Sequence, residues 1–188
     1  TALVPITGLP AGVTALGIEF RPLTAQFLLA TSDNAIYTVE PATGVAVLLS
    51  TPATPFSTGP NQGLDVNPTV DRLRFVNEDG TNFRINYTVP TPALTTDVAV
   101  AYAAGDVNAG ATPKISAAAY TNSVPGSLAA STTLFDIDTT LDVLVRQDPP
   151  NNGTLNTIGE LKLGADKVDF GSGVAFDIAS YCAGDAAP

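Results

Sequence analysis

Asp136, Asp138 and Asp142, in the stretch DIDTTLD, place three carboxylates at relative positions one, three and seven. Calcium loops gather hard oxygen ligands at such close spacings, so a calcium ion held by these three residues is one expectation. The stretch lacks the glycine and the remaining ligands of an EF-hand loop, and the same acids align internally with Glu40 and Gly44, where a hairpin turn is expected. A solvated turn is therefore the competing expectation. A second concentration of charge is cationic: Arg72, Arg74 and Arg84 are three of only eight Lys and Arg residues. A guanidinium presents a planar fork of donors suited to carboxylates and other anions. Arg72 and Arg74 share one side of a strand, so the group is expected either to pair with Asp65 or Asp71 or to line a binding site for an anionic ligand. The run Asn77-Glu78-Asp79-Gly80-Thr81-Asn82 is also rich in oxygen ligands, but the hairpin it joins already needs those residues for its turn.

Catalytic equipment is sparse. The chain has no His, which removes the commonest general base and the commonest zinc ligand. Gly171-Ser172-Gly173 lacks the frame of a nucleophile elbow, and no phosphate loop or dinucleotide fingerprint occurs. What remains is carboxylates with Tyr37, Tyr87, Tyr102, Tyr120 or Tyr181, a cast suited to glycoside or lyase chemistry, although no spacing selects a pair. Cys182 is the only cysteine, so it is either buried and unpaired or bonded outside this stretch of chain. Asn86-Tyr87-Thr88 and Asn152-Gly153-Thr154 fit the N-glycosylation pattern at expected surface turns. A net charge of −10 repels phosphate backbones and excludes the basic footprint of a nucleic-acid binder. No apolar run approaches the ~18 residues of a membrane-spanning helix, so no membrane span is expected. The chain starts at Thr1 and contains no Met, which reads as a mature product whose leader was removed, unless its first residues are missing.

The elements that must position these groups are short strands. In Arg72 to Val76, Leu73 and Phe75 alternate with arginines; Glu78-Asp79-Gly80 turns; Phe83, Ile85 and Tyr87 alternate again. That is a β-hairpin with one face in a core. The unit recurs: Gly17-Ile18-Glu19-Phe20-Arg21-Pro22 aligns with Gly63-Leu64-Asp65-Val66-Asn67-Pro68 at an offset of 46 residues. Ile36 to Glu40 aligns with Leu134 to Asp138 at an offset of 98, and Gly173 to Asp177 echoes Gly17 to Phe20. Self-similarity at about 45 to 55 residues with four strands per unit predicts an all-β, propeller-like array of four-stranded antiparallel blades. One domain over 1–188 would hold repeats at 14–50, 61–102 and 114–161 and an incomplete fourth at 172–188, with 1–6 as a ring-closing strand. A β-sandwich or an irregular barrel is the alternative. The incomplete unit leaves strand edges, so either the chain continues beyond Pro188, or a second chain covers them, or the blades are arranged otherwise.

Asn67 to Arg74 (NPTVDRLR), Ala118 to Asn122 (AAYTN) and Gln147 to Gly159 (QDPPNNGTLNTIG), with FRPLTAQ at Phe20 and LFDID at Leu134, resemble a family of bacterial proteins termed domain of unknown function 4394. The resemblance spans nearly the whole chain. It implies an exported, propeller-like protein, secreted to the periplasm or beyond, and suggests a longer C-terminal portion. It brings no activity and no site residues. Cys182 and the Phe75-Val76-Asn77 segment depart from the family pattern. The function expected is a non-enzymatic binding or assembly module, an accessory subunit or surface-structure component, whose exposed strand edges meet other protein chains or further copies. No cofactor besides the possible calcium is expected. The rival is a hydrolase or lyase acting on an extracellular polysaccharide, which a carboxylate pair about 5–9 Å apart would mark.

Overall fold

Sequence alternation becomes three large sheets, besides a small hairpin of Lys162–Leu163 with Asp166–Lys167, in the computed structural model, which describes residues 3–56, 59, 61–89, 91–171 and 173–180. The first sheet runs in chain order through β1 (Ala15–Arg21), β2 (Gln26–Thr31), β3 (Ala35–Val39) and β4 (Ala46–Ser50). Asn34 makes the β2–β3 turn in the left-handed region at φ 65°, and its side chain bonds Pro52 O and the Phe56 N–H, so the turn also anchors the departing chain. The second sheet, β5 (Gln62–Asn67), β6 (Arg72–Asn77), β7 (Asn82–Asn86) and β8 (Ala93–Thr96), has the same order. The short β9 (Ala101–Tyr102) does not extend it. β9 pairs in parallel with the last strand of the third sheet, which comprises β10 (Ile115–Tyr120), β11 (Leu134–Asp138), β12 (Val143–Gln147) and β13 (Thr154–Glu160). The second unit drawn over 61–102 is thus shorter, and its tail stitches the second sheet to the third. None of the sheets closes into a barrel.

Two expected pieces differ. Residues 3–6 form no strand; Thr7 makes a parallel bridge to Val45, beside the outer strand of the first sheet rather than in a fourth unit. Residues 173–180 join no strand ladder, and the rest of the incomplete repeat, with Tyr181 and Cys182, lies outside the described residues.

The sheets meet through their first strands, β1 against β5 and β5 against β10. Leu28, Ile36, Phe75 and Ile85 fill the space between the first and second sheets, where Phe75 stacks on Phe83 at 5.0 Å and meets Phe56 at 5.2 Å. Val76, Ile115, Leu134 and Val145 fill the next layer. Each such side chain contributes about 1.5–3 kcal/mol by leaving water. The approach of first strands is close enough to require glycine. A Cβ on Gly63 would stand 2.7 Å from the Ala117 carbonyl carbon and the Ala118 nitrogen, both backbone atoms that a rotamer change cannot move. Gly63→Ala is therefore expected to destabilise the fold by about 1–3 kcal/mol, the cost of overpacking, read as a lower urea midpoint.

Candidate functional site

Alternation in β6 sends Leu73 and Phe75 toward the first sheet and Arg74 toward the third. Arg74 is 1% exposed, an extreme position for a guanidinium, and it is tolerated because every edge is met. Nη1 donates to Asp97 at 2.6 Å and Asn82 at 2.7 Å, Nη2 to Asn151 at 2.7 Å, and Nε to the Tyr120 hydroxyl at 3.3 Å. Arg84, directly across the β6–β7 pair, donates to both oxygens of the same Asp97 at 2.7 and 2.8 Å. Asn82 in turn donates to Val98 O and Pro150 O, each at 2.9 Å. One buried carboxylate thus joins two arginines within the second sheet, while Arg74 through Tyr120 and Asn151, and Asn82 through Pro150, tie that sheet to the third.

Of the three predicted arginines, the structure brings Arg74 and Arg84 together and leaves Arg72 apart, donating to Val70 O and Asp71 O. The partners expected for them are engaged elsewhere. Asp71 takes a bidentate contact from Arg21 at 2.9 and 2.5 Å and the Tyr87 hydroxyl at 2.7 Å. Burial works against that carboxylate, but Arg21 and Tyr87 more than offset it and hold Asp71 below the usual range.

The acids of DIDTTLD do not converge. Asp136 lies in β11 facing the second sheet, wholly buried, with no hydrogen-bond partner on either oxygen. Burial pushes its carboxyl well above the ordinary value, against the pull of Arg74. Asp138 instead accepts the Tyr102 hydroxyl at 2.7 Å and the Thr140 N–H at 2.9 Å. Asp142 sits in the following turn at φ 53°, accepting the Phe170 N–H and paired with Lys167 at 3.6 Å. Among the described residues no three acids form a metal-binding group, so the arrangement needed for the expected calcium is missing there. The cause is local: a strand separates the acids that a loop would have gathered.

A different acidic set comes together. Glu19 in β1, Asp65 in β5 and Asp177 in the 173–180 segment each fold back onto the next residue's N–H: Phe20 at 3.0 Å, Val66 at 2.5 Å and Ile178 at 2.7 Å. Asp177 therefore shares the local geometry of Glu19 and Asp65, two residues beyond the position that an alignment on Gly173 would give. Gly173, at φ 107°, is not the counterpart of the strand glycines Gly17 and Gly63. Asp65 also accepts the Tyr120 N–H, pinning β5 to β10. A cavity of about 280 Å³ is walled by β1, β5, β10 and the segment, through Gly17, Leu64, Ala118 and Phe176 among others. A second, of about 330 Å³, holds all three acids. Burial, opposed by the Phe20 N–H and reinforced by Asp177, pushes the Glu19 carboxyl up to about 8. Burial and then Glu19 raise Asp65 well above its ordinary value.

The family model described as domain of unknown function (DUF4394) matches residues 1–187. The chain belongs to the DUF4394 family. No curated protein and no solved structure matches it. No described helix of this DUF4394 chain is long and apolar enough to cross a membrane.

One surface of the DUF4394 chain departs from its acidic character. Val45, Val47, Leu48 and Leu49, at the outer strand β4, are exposed, with Val47 at 59%. The N-terminal arm continues the patch through exposed Leu3, Val4 and Ile6, held in place by Thr7 N–H to Gly44 O and Ala46 N–H to Thr7 O. From Leu3 to Thr7 and from Gly44 to Ser50 there is no charged residue. Sequence reading missed this face because alternation does not reveal that, among the described residues, no strand extends the sheet beyond β4, which pairs with β3 through a bulge at Leu49.

Proposed function

We propose that this DUF4394 protein is an exported, non-enzymatic assembly module whose sheets are blades of a propeller-like array, and that a second copy of the chain covers the β4 edge. Three sheets stacked by their first strands, with 173–180 as a fourth wall around one cavity, support the propeller-like arrangement. The resemblance to a family of exported bacterial proteins supports the exported part of this reading.

The observation that carries the assembly role is the uncharged apolar edge. An outer strand with exposed Val and Leu offers backbone donors and acceptors to a further strand; β4 has neither the charge nor the proline that ordinarily blocks such an edge, and with a bulge at Leu49 and Thr7 seated on Ala46, residues 47–50 are the part left open. Two copies of a chain carrying −10 repel each other over most of their surface, so contact is favoured where the charge is absent. Antiparallel pairing of β4 with its own copy is two-fold symmetric, the arrangement most homodimers adopt. The protein is therefore expected to dimerise in a concentration-dependent way, more tightly as salt screens the repulsion. Light scattering after size exclusion checks this. The double variant Val47→Glu with Leu49→Glu should be monomeric throughout, whereas a wild type that stays monomeric at its highest attainable concentration would remove the proposal.

A further inference from the structure

Residues 173–180 are attached in an unusual manner. Val174, Phe176 and Ile178 are half-buried against the first strands while Ala175, Asp177 and Ala179 are more exposed, the alternation of a strand. Yet the segment has no ladder partner among the described residues, and a cross-link holding its end is the Ser123 N–H donating to Ser180 Oγ at 3.0 Å. Beneath it lies the cavity of about 280 Å³, for which it supplies one wall. Docking sets Asp177 beside Glu19 and Asp65, three acids around one space.

The other groups around Glu19 do not neutralise that charge. Asp65 on β5 is acidic and engaged with two N–H groups. Arg21, two residues along β1, is committed to Asp71. Phe27 from β2 and Ser123 and Pro125 after β10 complete the lining and do not titrate at physiological pH, and the Tyr120 hydroxyl of β10 is turned to Arg74. No Lys or Arg lines either cavity among the described residues.

We propose that 173–180 is a pH-released strap, docked across the first strands while Glu19 is protonated and displaced when Glu19 and Asp177 both carry charge, which opens the cavity beneath. The raised Glu19 value supports the direction of the switch. A carboxyl that holds its proton up to about 8 when docked, and ionises near its ordinary 4.5 when the strap is away, binds more protons in the docked state. Docking is then strongest below pH 4.5 and weakens as pH rises to about 8, by up to tenfold per pH unit for this single group. The strap opens toward alkaline pH.

Limited proteolysis of the protein, with cleavage rates corrected for the pH dependence of the protease itself, tests this, protection being read as slower cleavage. Protection of 173–180 should fall at least tenfold from pH 5 to pH 8 while β6 stays protected. Glu19→Gln should hold 173–180 equally protected at both values, and Asp177→Asn should retain more protection at pH 8 than wild type. Unchanged protection of 173–180 in the wild type, or a pH response undiminished in both variants, would overturn the strap. So would a loss of protection in β6 that accompanies the segment, since the whole fold would then be responding.

Discussion

Arg74→Met is expected to destabilise the protein by about 3–5 kcal/mol, the largest loss of any single substitution considered. Methionine fills similar space, so the loss comes from what the guanidinium leaves behind. Asn82 Oδ1 and Asn151 Oδ1 lose their donors, and Asp97, whose side chain is 5% exposed, keeps only Arg84. Unmet buried acceptors cost about 1–3 kcal/mol each, more when charged. Arg84→Met is the control, since its side chain is 35% exposed, water replaces part of what is lost, and Asp97 keeps the buried arginine. The expected cost there is about 1 kcal/mol, near the upper end for exposed pairs. Urea unfolding of both variants decides the matter: equal losses would mean that Asp97, rather than Arg74, is the hub.

The contrast bears on what can be read from sequence. Local alternation told which face of β6 carries Arg74, and the turn at Glu78-Asp79-Gly80 told where the hairpin reverses. Neither tells which sheet stands opposite. Asp97 lies 23 residues from Arg74 and Asn151 lies 77 away, in segments without a regular pattern of their own. Asp65 and Asp71 were closer in sequence but are turned to Tyr120 and Arg21.

The acids of DIDTTLD teach the same lesson from the other side. Their spacing suits a calcium loop only if the chain loops there, and strand β11 instead points Asp136 and Asp138 into the core. The close packing of the first strands has a sequence marker in Gly63, where a Cβ would meet the Ala117 and Ala118 backbone, and a weaker one in Gly17, where it would press only on the Leu64 side chain. Near the end of the chain an alignment on glycine picks Gly173, two residues before the position marked by the backbone contact that Asp177 shares with Glu19 and Asp65. The backbone contact that each acid makes with the next residue is a better marker than the glycine, but it exists only in three dimensions. The short β9 has no such marker either: a two-residue strand pairing in parallel with β13 has too little pattern to announce its partner.

Asp136→Asn is expected to be nearly neutral at pH 4 and stabilising at pH 7. Asp136 is fully buried, neither oxygen has a hydrogen-bond partner, and burial outweighs the help of Arg74, so the folded protein holds this carboxyl protonated well above its ordinary value. In the unfolded chain the same group loses its proton near pH 3.9. The folded state thus binds a proton that the unfolded state has released. Its contribution is fully present below about pH 4 and is lost as pH rises toward the folded-state value, at about 1.4 kcal/mol per pH unit. Asparagine has nearly the same shape and no proton to retain, so the variant escapes that loss. The difference in unfolding free energy between variant and wild type should grow from near zero at pH 4 with that slope and level off once the folded-state value is passed. If Asp136→Asn instead loses stability at pH 7 and not at pH 4, the carboxylate is ionised in the fold and serves Arg74 as a charged partner, which would make it part of the ion network and not a neutral group sealed beside it.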